Sequence, residues 1–224
     1  MPDRPLVVGG VTPFTTIDFP GRLAAVVFCQ GCPWRCDYCH NPHLLPARAP
    51  DARPWADVMA WLETRRGLLD GVAFSGGEPL LQRGLAAAVS AVREMGFAVA
   101  LHTGGVYPDR FGDVLPQLDW VGFDVKAPFD DYGRVTGAGG GEAALASLRS
   151  LLASGKHHEL RCTVDPGLLD AKALGRLAKE LASLGAGKLV LQACRRRGAS
   201  IGPIDPARIR AVTDTGIEVE LRGA

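Results

Sequence analysis

Short continuous apolar runs alternate along this chain with stretches of helical period, and the alternation sets in at about residue 22. Arg22–Gln30 (RLAAVVFCQ) reads as a buried strand leading into a cysteine-rich loop. Trp55, Val58, Met59 and Leu62 then recur at helical spacing. Gly71–Phe74 is a short apolar run ending in Ser75-Gly76-Gly77, and Leu85, Val89 and Val92 mark a helix closed by Gly96. Phe97–Leu101 is a third strand, Pro108–Leu115 a short helix and Trp120–Val125 a fourth strand. Leu145, Leu148 and Leu152 share a helical face that stops at Gly155, and Glu159–Val164 is a fifth strand. Leu174, Leu177, Leu181 and Leu184 form the next helix, and Lys188–Ala193 a sixth strand. Asp205-Pro206 has the chemistry of an N-cap followed by proline at N1. It opens a helix through Ile209 and Val212, and Ile217, Val219 and Leu221 alternate as a last edge strand. The glycine run at Gly137–Gly141 reads as a flexible loop.

Continuous apolar strands separated by helices imply a parallel sheet covered by helices. Six such units are too few to close an eightfold barrel, so the expected fold is α/β, a partial (βα)6 TIM-like barrel. Periodicity alone leaves a doubly wound sheet as the alternative. The expected organisation is a single domain over residues 1–224. Its core lies at about 22–195, with a C-terminal helix and edge strand at 205–222. In either architecture chemistry belongs at the C-terminal ends of the strands.

Composition narrows the function classes. The 224 residues are 47% hydrophobic and 22% charged with a net charge of +1, so no electrostatic footprint argues for nucleic acid or an anionic membrane. No apolar run has membrane-spanning length, and Met1-Pro2-Asp3-Arg4-Pro5 lacks a signal-peptide layout. The expectation is a cytoplasmic enzyme without nucleic-acid or membrane partners.

The cysteines change that bland picture. Cys29, Cys32, Cys36 and Cys39 cluster, whereas Cys162 and Cys194 stand apart and read as small buried hydrophobes. Clustered thiolates in such a chain suit zinc or iron–sulfur. All four could bind zinc, but Cys29 ends a buried strand and is poorly placed to fold back onto a shared metal. In the other reading Cys32, Cys36 and Cys39 hold three irons of a cubane and leave the fourth iron open, the mark of a reactive centre.

Cys32-Pro33-Trp34-Arg35-Cys36-Asp37-Tyr38-Cys39 resembles the CxxxCxΦC signature of the radical S-adenosylmethionine (SAM) superfamily. His40-Asn41-Pro42, the lead-in Thr16–Gly21 and Val26–Cys32 resemble the activating enzymes of glycyl radical enzymes, and most of all those of anaerobic ribonucleoside-triphosphate reductase. The likeness covers about Gly9 to Arg195. It implies the partial barrel of that superfamily, one [4Fe–4S] cluster on Cys32, Cys36 and Cys39, and SAM bound at the open iron. The implied reaction is reductive cleavage to a 5′-deoxyadenosyl radical that takes a hydrogen atom from a glycine of a partner enzyme. A flavodoxin or ferredoxin-type donor would supply the electron. The alternatives are activation of pyruvate formate-lyase or another such enzyme, and a small-molecule reaction such as deazaguanine-type ring contraction.

The resemblance also assigns cofactor contacts. Tyr38 matches the aromatic position beside the adenine, and His40 follows the last cysteine. Gly76, Gly77 and Glu78 match the turn that receives the methionyl ammonium, although a plain strand-to-helix turn would use the same glycines. Asp124 and Lys126 match an Asp-x-Lys segment near the cofactor; the plainer reading is a surface ion pair. Arg161 suits a carboxylate, and Gln192 offers a polar contact after the sixth strand. His102 and Thr103 fall where relatives carry Asp-Thr-Asn-Gly, a segment implied to hold a monovalent cation; here it reads His102-Thr103-Gly104-Gly105.

Overall fold

A computed structural model describes residues 5–196 and 199–223, so residues 1–4, read above for a signal layout, lie outside the described part. The described residues divide into two compact units. The first runs to residue 33 and takes up 41–103 and 107–122; the second takes 34–40, 104–106 and the chain from 123 onward.

The first unit opens with β1 (Val7–Thr15), β2 (Ala24–Cys29) and the two-residue β3 (Arg53–Pro54). There follow α1 (Trp55–Glu63), β4 (Gly71–Gly76), α2 (Leu85–Glu94), β5 (Ala98–Thr103) and α3 (Pro108–Val114). Strand β6 (Trp120–Asp124) begins in this unit and ends in the second. Strands β2, β4 and β5 are parallel and in register, Ala24 opposite Gly71 and Gly71 opposite Ala98. Small residues on these strands, Ala24, Ala73 and Ala100, leave room for the rings of Phe19 and Trp120, and together they make a buried core.

β1 departs from the expectation that strands start near residue 22. It runs antiparallel to β2 along most of that strand and pairs with β3 only at Val7 and Val8. Gly9, Gly10 and Pro13 interrupt its apolar pattern, and its pairing shifts register twice. Glycine and proline in a strand are tolerated at edges and bulges, which is where this strand places them.

The second unit carries α4 (Tyr132–Thr136), α5 (Gly141–Ser154), β7 (His158–Val164), α6 (Ala171–Ser183) and β8 (Lys188–Ala193). A small hairpin of β9 (Arg195–Arg196) and β10 (Ala199–Ser200), then α7 (Pro206–Thr213) and β11 (Glu218–Arg222), complete it. β7, β8 and β11 are parallel, and Asp205 caps α7 as expected, its carboxylate accepting from the N–H groups of Ala207 and Arg208.

The glycine run is not a flexible loop. Gly137 ends α4 with φ +69°, and Gly140 precedes α5 with φ +99°, both left-handed values that favour glycine. A Cβ on Gly141 would stand 2.8 Å from the Phe129 carbonyl carbon and closer to its oxygen. The run is a tight helix-to-helix joint with glycine at each of its left-handed positions, Gly137, Gly139 and Gly140. Among the described residues no helix is long and apolar enough to cross a membrane.

Candidate cofactor site

The six cysteines sort into two sets by burial. Cys29, Cys162 and Cys194 are buried, whereas Cys32, Cys36 and Cys39 are half-buried. Burial, with Glu78 beside it, drives the Cys29 thiol far above its ordinary range; burial pushes Cys162 up to about 12 and Cys194 to about 11. A sealed thiol of this kind is a poor ligand, because the thiolate is the binding form. Cys29 is thus sealed on β2, apart from the three partly open thiols of the motif. Among the described residues no three His, Cys, Asp or Glu side chains are grouped to hold a single metal ion.

In the first unit the chain reaches Cys32 from β2 and is stitched at each step. Gly31 N–H donates to Leu44 O at 2.7 Å and Cys32 N–H to Leu45 O at 3.2 Å. The turn after β4 lies on the same segment: Gly77 N–H donates to Cys29 O at 3.0 Å and Glu78 N–H to Gly31 O at 2.9 Å. The glycines are required sterically. Gly76 has φ +123°, and a Cβ on Gly77 would stand 2.7 Å from the Gly31 carbonyl carbon. The turn is built so that its backbone touches the cysteine segment.

Glu78 is 2% exposed. Its Oε1 accepts from Leu80 N–H at 3.0 Å, capping the short 3-10 helix Pro79–Leu81, and from the Thr103 hydroxyl at 2.6 Å. Two of the expected site residues, 25 positions apart, thus meet directly. His102 faces the other side of β5. Its Nε2 is 2.7 Å from Asp18 O and its ring lies 5.3 Å from that of Trp120, so the structure gives it a packing partner in the lead-in segment.

In the second unit Cys39 N–H donates to Cys36 O at 3.0 Å, a tight turn that brings two motif cysteines to one end of the loop. The loop is anchored by Arg35 N–H to Thr136 O at 2.8 Å and by Trp34, whose ring meets Tyr132 edge-on at 6.0 Å. Gly104 is where Trp34 needs space: a Cβ there would stand 2.6 Å from the indole. Tyr38 is buried and its hydroxyl finds no hydrogen-bond partner among the described residues. His40 is exposed.

Asp124, Lys126 and Arg161 form one group rather than a surface pair. Lys126 Nζ donates to Asp124 Oδ2 at 3.1 Å and Arg161 Nε to Asp124 Oδ1 at 2.9 Å, with side chains 31%, 14% and 10% exposed in the order Asp, Lys, Arg. Burial alone would lower Lys126, but Asp124 and then Cys36 raise it, and the net shift is upward. Burial raises the Cys36 thiol, and Lys126 opposes that rise. Burial outweighs Lys126, and the net shift of Cys36 is upward; three partly open thiols on one loop are nonetheless a donor set that suits iron–sulfur. Gln192 lies half-buried on β8, opposite Thr163 of β7 and Arg222 of β11.

The sequence reading missed Gln30 and Gln82. Gln30 is buried, and its amide donates to His43 O and Pro46 O. The signal was present: a lone amide ends an unbroken apolar strand one step before the cysteine loop, where a buried polar side chain must have partners.

Comparison with known proteins follows the same lines. The profile of the family described as the radical SAM superfamily matches residues 26–184. A pyruvate formate-lyase-activating enzyme of Clostridium pasteurianum is 32% identical over 70% of this chain and 67% of its own length. A 7-carboxy-7-deazaguanine synthase of Pyrobaculum aerophilum is 35% identical over 50% of this chain and 53% of its own. The crystal structure of QueE from Escherichia coli has a TM-score of 0.66 at 19% identity, covering 97% of this chain and 94% of that one. The chain spans about half to two thirds of the length of such curated relatives.

Proposed function

The chain belongs to the radical SAM superfamily, and we propose that it is an activating enzyme that places a radical on a glycine of a partner protein. The observation that carries this reading is the cysteine loop. Three half-buried thiols lie on one loop, and the motif runs on into His40-Asn41-Pro42. The family uses a [4Fe–4S] cluster and SAM; when bound, they would supply one-electron reductive cleavage of the S–C5′ bond and hydrogen-atom abstraction from the target glycine.

Cys32, Cys36 and Cys39 are the residues that would hold the cluster. Gly76 and Gly77 present the backbone, and Glu78 the counter-charge, for the cofactor's ammonium group. Arg161 and Lys126 share Asp124 between them, and this leaves a net positive group suited to a carboxylate. Tyr38 would lie beside the adenine, and His40, Thr103 and Gln192 offer further polar contacts. His102 instead positions the Thr15–Phe19 segment through Asp18.

The partner we assign is anaerobic ribonucleoside-triphosphate reductase, from the lead-in and His40-Asn41-Pro42, with a flavodoxin or ferredoxin-type donor and a cytoplasmic setting. Likeness to the Clostridium enzyme supports the activase class and keeps pyruvate formate-lyase as a partner to test. Likeness to the deazaguanine synthase supports a second reading, a small-molecule ring contraction. The deciding experiment incubates the anaerobically reconstituted, reduced protein with SAM and each glycyl radical enzyme. A glycyl doublet in the EPR spectrum of the reductase is expected. No doublet on any partner, together with turnover of a deazaguanine precursor, would reject the activase reading in favour of the second.

A further inference from the structure

We propose that Gln30 and Gln82 are positioning residues: a two-amide clamp that fixes the Gly76-Gly77-Glu78 turn on the segment leading into Cys32. This rests on the reading of that turn as the ammonium site. Gln82 follows the turn and spends its whole amide on the other side. Its Oε1 accepts from Val7 N–H at 3.1 Å, and its Nε2 donates to Val7 O at 3.0 Å and to Gln30 O at 2.6 Å. Gln30 continues the chain of contacts. Its N–H donates to Val7 O at 2.9 Å, and its side-chain Nε2 donates to Pro46 O at 2.7 Å and His43 O at 3.2 Å, just after the cysteine motif.

The clamp therefore spans three strands of sequence. One amide binds the far side of the turn to the residue two before Cys32. The other binds that residue to the chain returning from the cysteine loop. β1 passes close enough to take part because Gly9 has no side chain; a Cβ there would stand 2.5 Å from Gln30 Oε1 and overlap Leu44. Arg110 braces the same turn from outside, its Nη1 donating to Leu80 O and Leu81 O at 2.9 and 2.7 Å.

The chemistry demands an amide at 82. A carboxylate could still accept from Val7 N–H, but it would place a negative oxygen against the carbonyls of Val7 and Gln30, where two N–H groups now donate. None of these contacts involves a proposed cluster ligand, so the clamp acts on the distance between two halves of the site and not on either half. Loss of such a supporting contact costs roughly 10- to 100-fold at a metal site.

The test uses the reconstituted full chain as wild type, Gln82→Glu, Gln82→Met and Gln30→Met. Iron and sulfide content and the thermal midpoint are measured first, and the EPR signal of the reduced cluster is then titrated with SAM. We expect the variants to keep their iron. The SAM concentration for half of the spectral change should rise roughly 10- to 100-fold in Gln82→Glu, and less in the two Met variants. Variants with full iron content and an unchanged SAM titration would overturn the clamp alone. A wild-type protein whose spectrum ignores SAM would overturn the parent reading and the clamp with it. If Gln82→Glu does not fold, Gln82→Met decides: intact iron with wild-type SAM response rejects the clamp, and intact iron with weakened response supports it.

Discussion

The turn at Gly76–Glu78 and the Asp124–Lys126–Arg161 group hold the same kind of position, at the C-terminal ends of β4 and β6, by opposite means. The turn is secured by backbone and amide hydrogen bonds, and its one charge, Glu78, is buried with a hydroxyl and an N–H donating to it. The second group is secured by charge: two cations share a carboxylate that is partly open to water. A closely packed backbone turn leaves no room for added volume. A half-buried charge group suffers most from the loss of one partner, because the charge left behind has no counter-ion. The two regions should therefore fail in different ways.

The sharpest break is at Gly77. A Cβ there would meet the carbonyl carbon of Gly31 at 2.7 Å and Leu44 O at 3.1 Å, and both belong to backbone carbonyls whose oxygens accept hydrogen bonds in the cysteine segment. Neither can swing away as a flexible side chain would. Gly77→Ala should lose about 3 kcal/mol by urea denaturation, at the upper end of overpacking effects. A midpoint close to wild type would mean that the turn has slack, and the contrast with the charged group would fall.

Asp124→Asn tests the other half of the contrast. The change is nearly isosteric, so shape is preserved and only the counter-charge goes. We expect a loss of about 2 kcal/mol, reduced from the usual cost of breaking a buried pair because Asp124 is partly solvated. The double variant with Lys126→Met should lose less than the sum of the two single changes, since one orphaned cation is removed. Strict additivity would show that the group is three independent surface residues, as the plainer reading of the sequence had it.

How much of this was legible beforehand follows from the range of the signal. The six strands β2 and β4 to β8 were visible because each is a continuous apolar run, and the cysteine motif because its spacing is local. β1 was hidden by Gly9, Gly10 and Pro13, whose placement makes sense only beside β2 and above Gln30. The glycine run at 137–141 read as slack because composition does not reveal the Phe129 carbonyl packed against Gly141. Glu78 was legible as a counter-charge, but its hydrogen bond to Thr103 joins two separate strand ends that no spacing rule connects. The same holds for Gln30 and Gln82, 52 positions apart. Asp124 and Lys126 could be paired on the page; Arg161 joined them only through the fold.

Tyr38 separates the two regions at the finest scale. Its hydroxyl resembles that of Thr103 in being buried, yet Thr103 donates to Glu78 at 2.6 Å, whereas Tyr38 Oη has no partner among the described residues. Burial, with Cys36 next in effect, pushes the phenol well above its ordinary pKa, so it stays neutral. An unpaired buried hydroxyl has lost its water without recovering a hydrogen bond, and removing it relieves that cost. Tyr38→Phe keeps the ring that packs the cysteine loop and should gain about 1 kcal/mol in the cofactor-free protein. A loss of that size would show that the hydroxyl is paired after all and that the cysteine loop, like the Gly-Gly-Glu turn, is held by hydrogen bonds along its whole length.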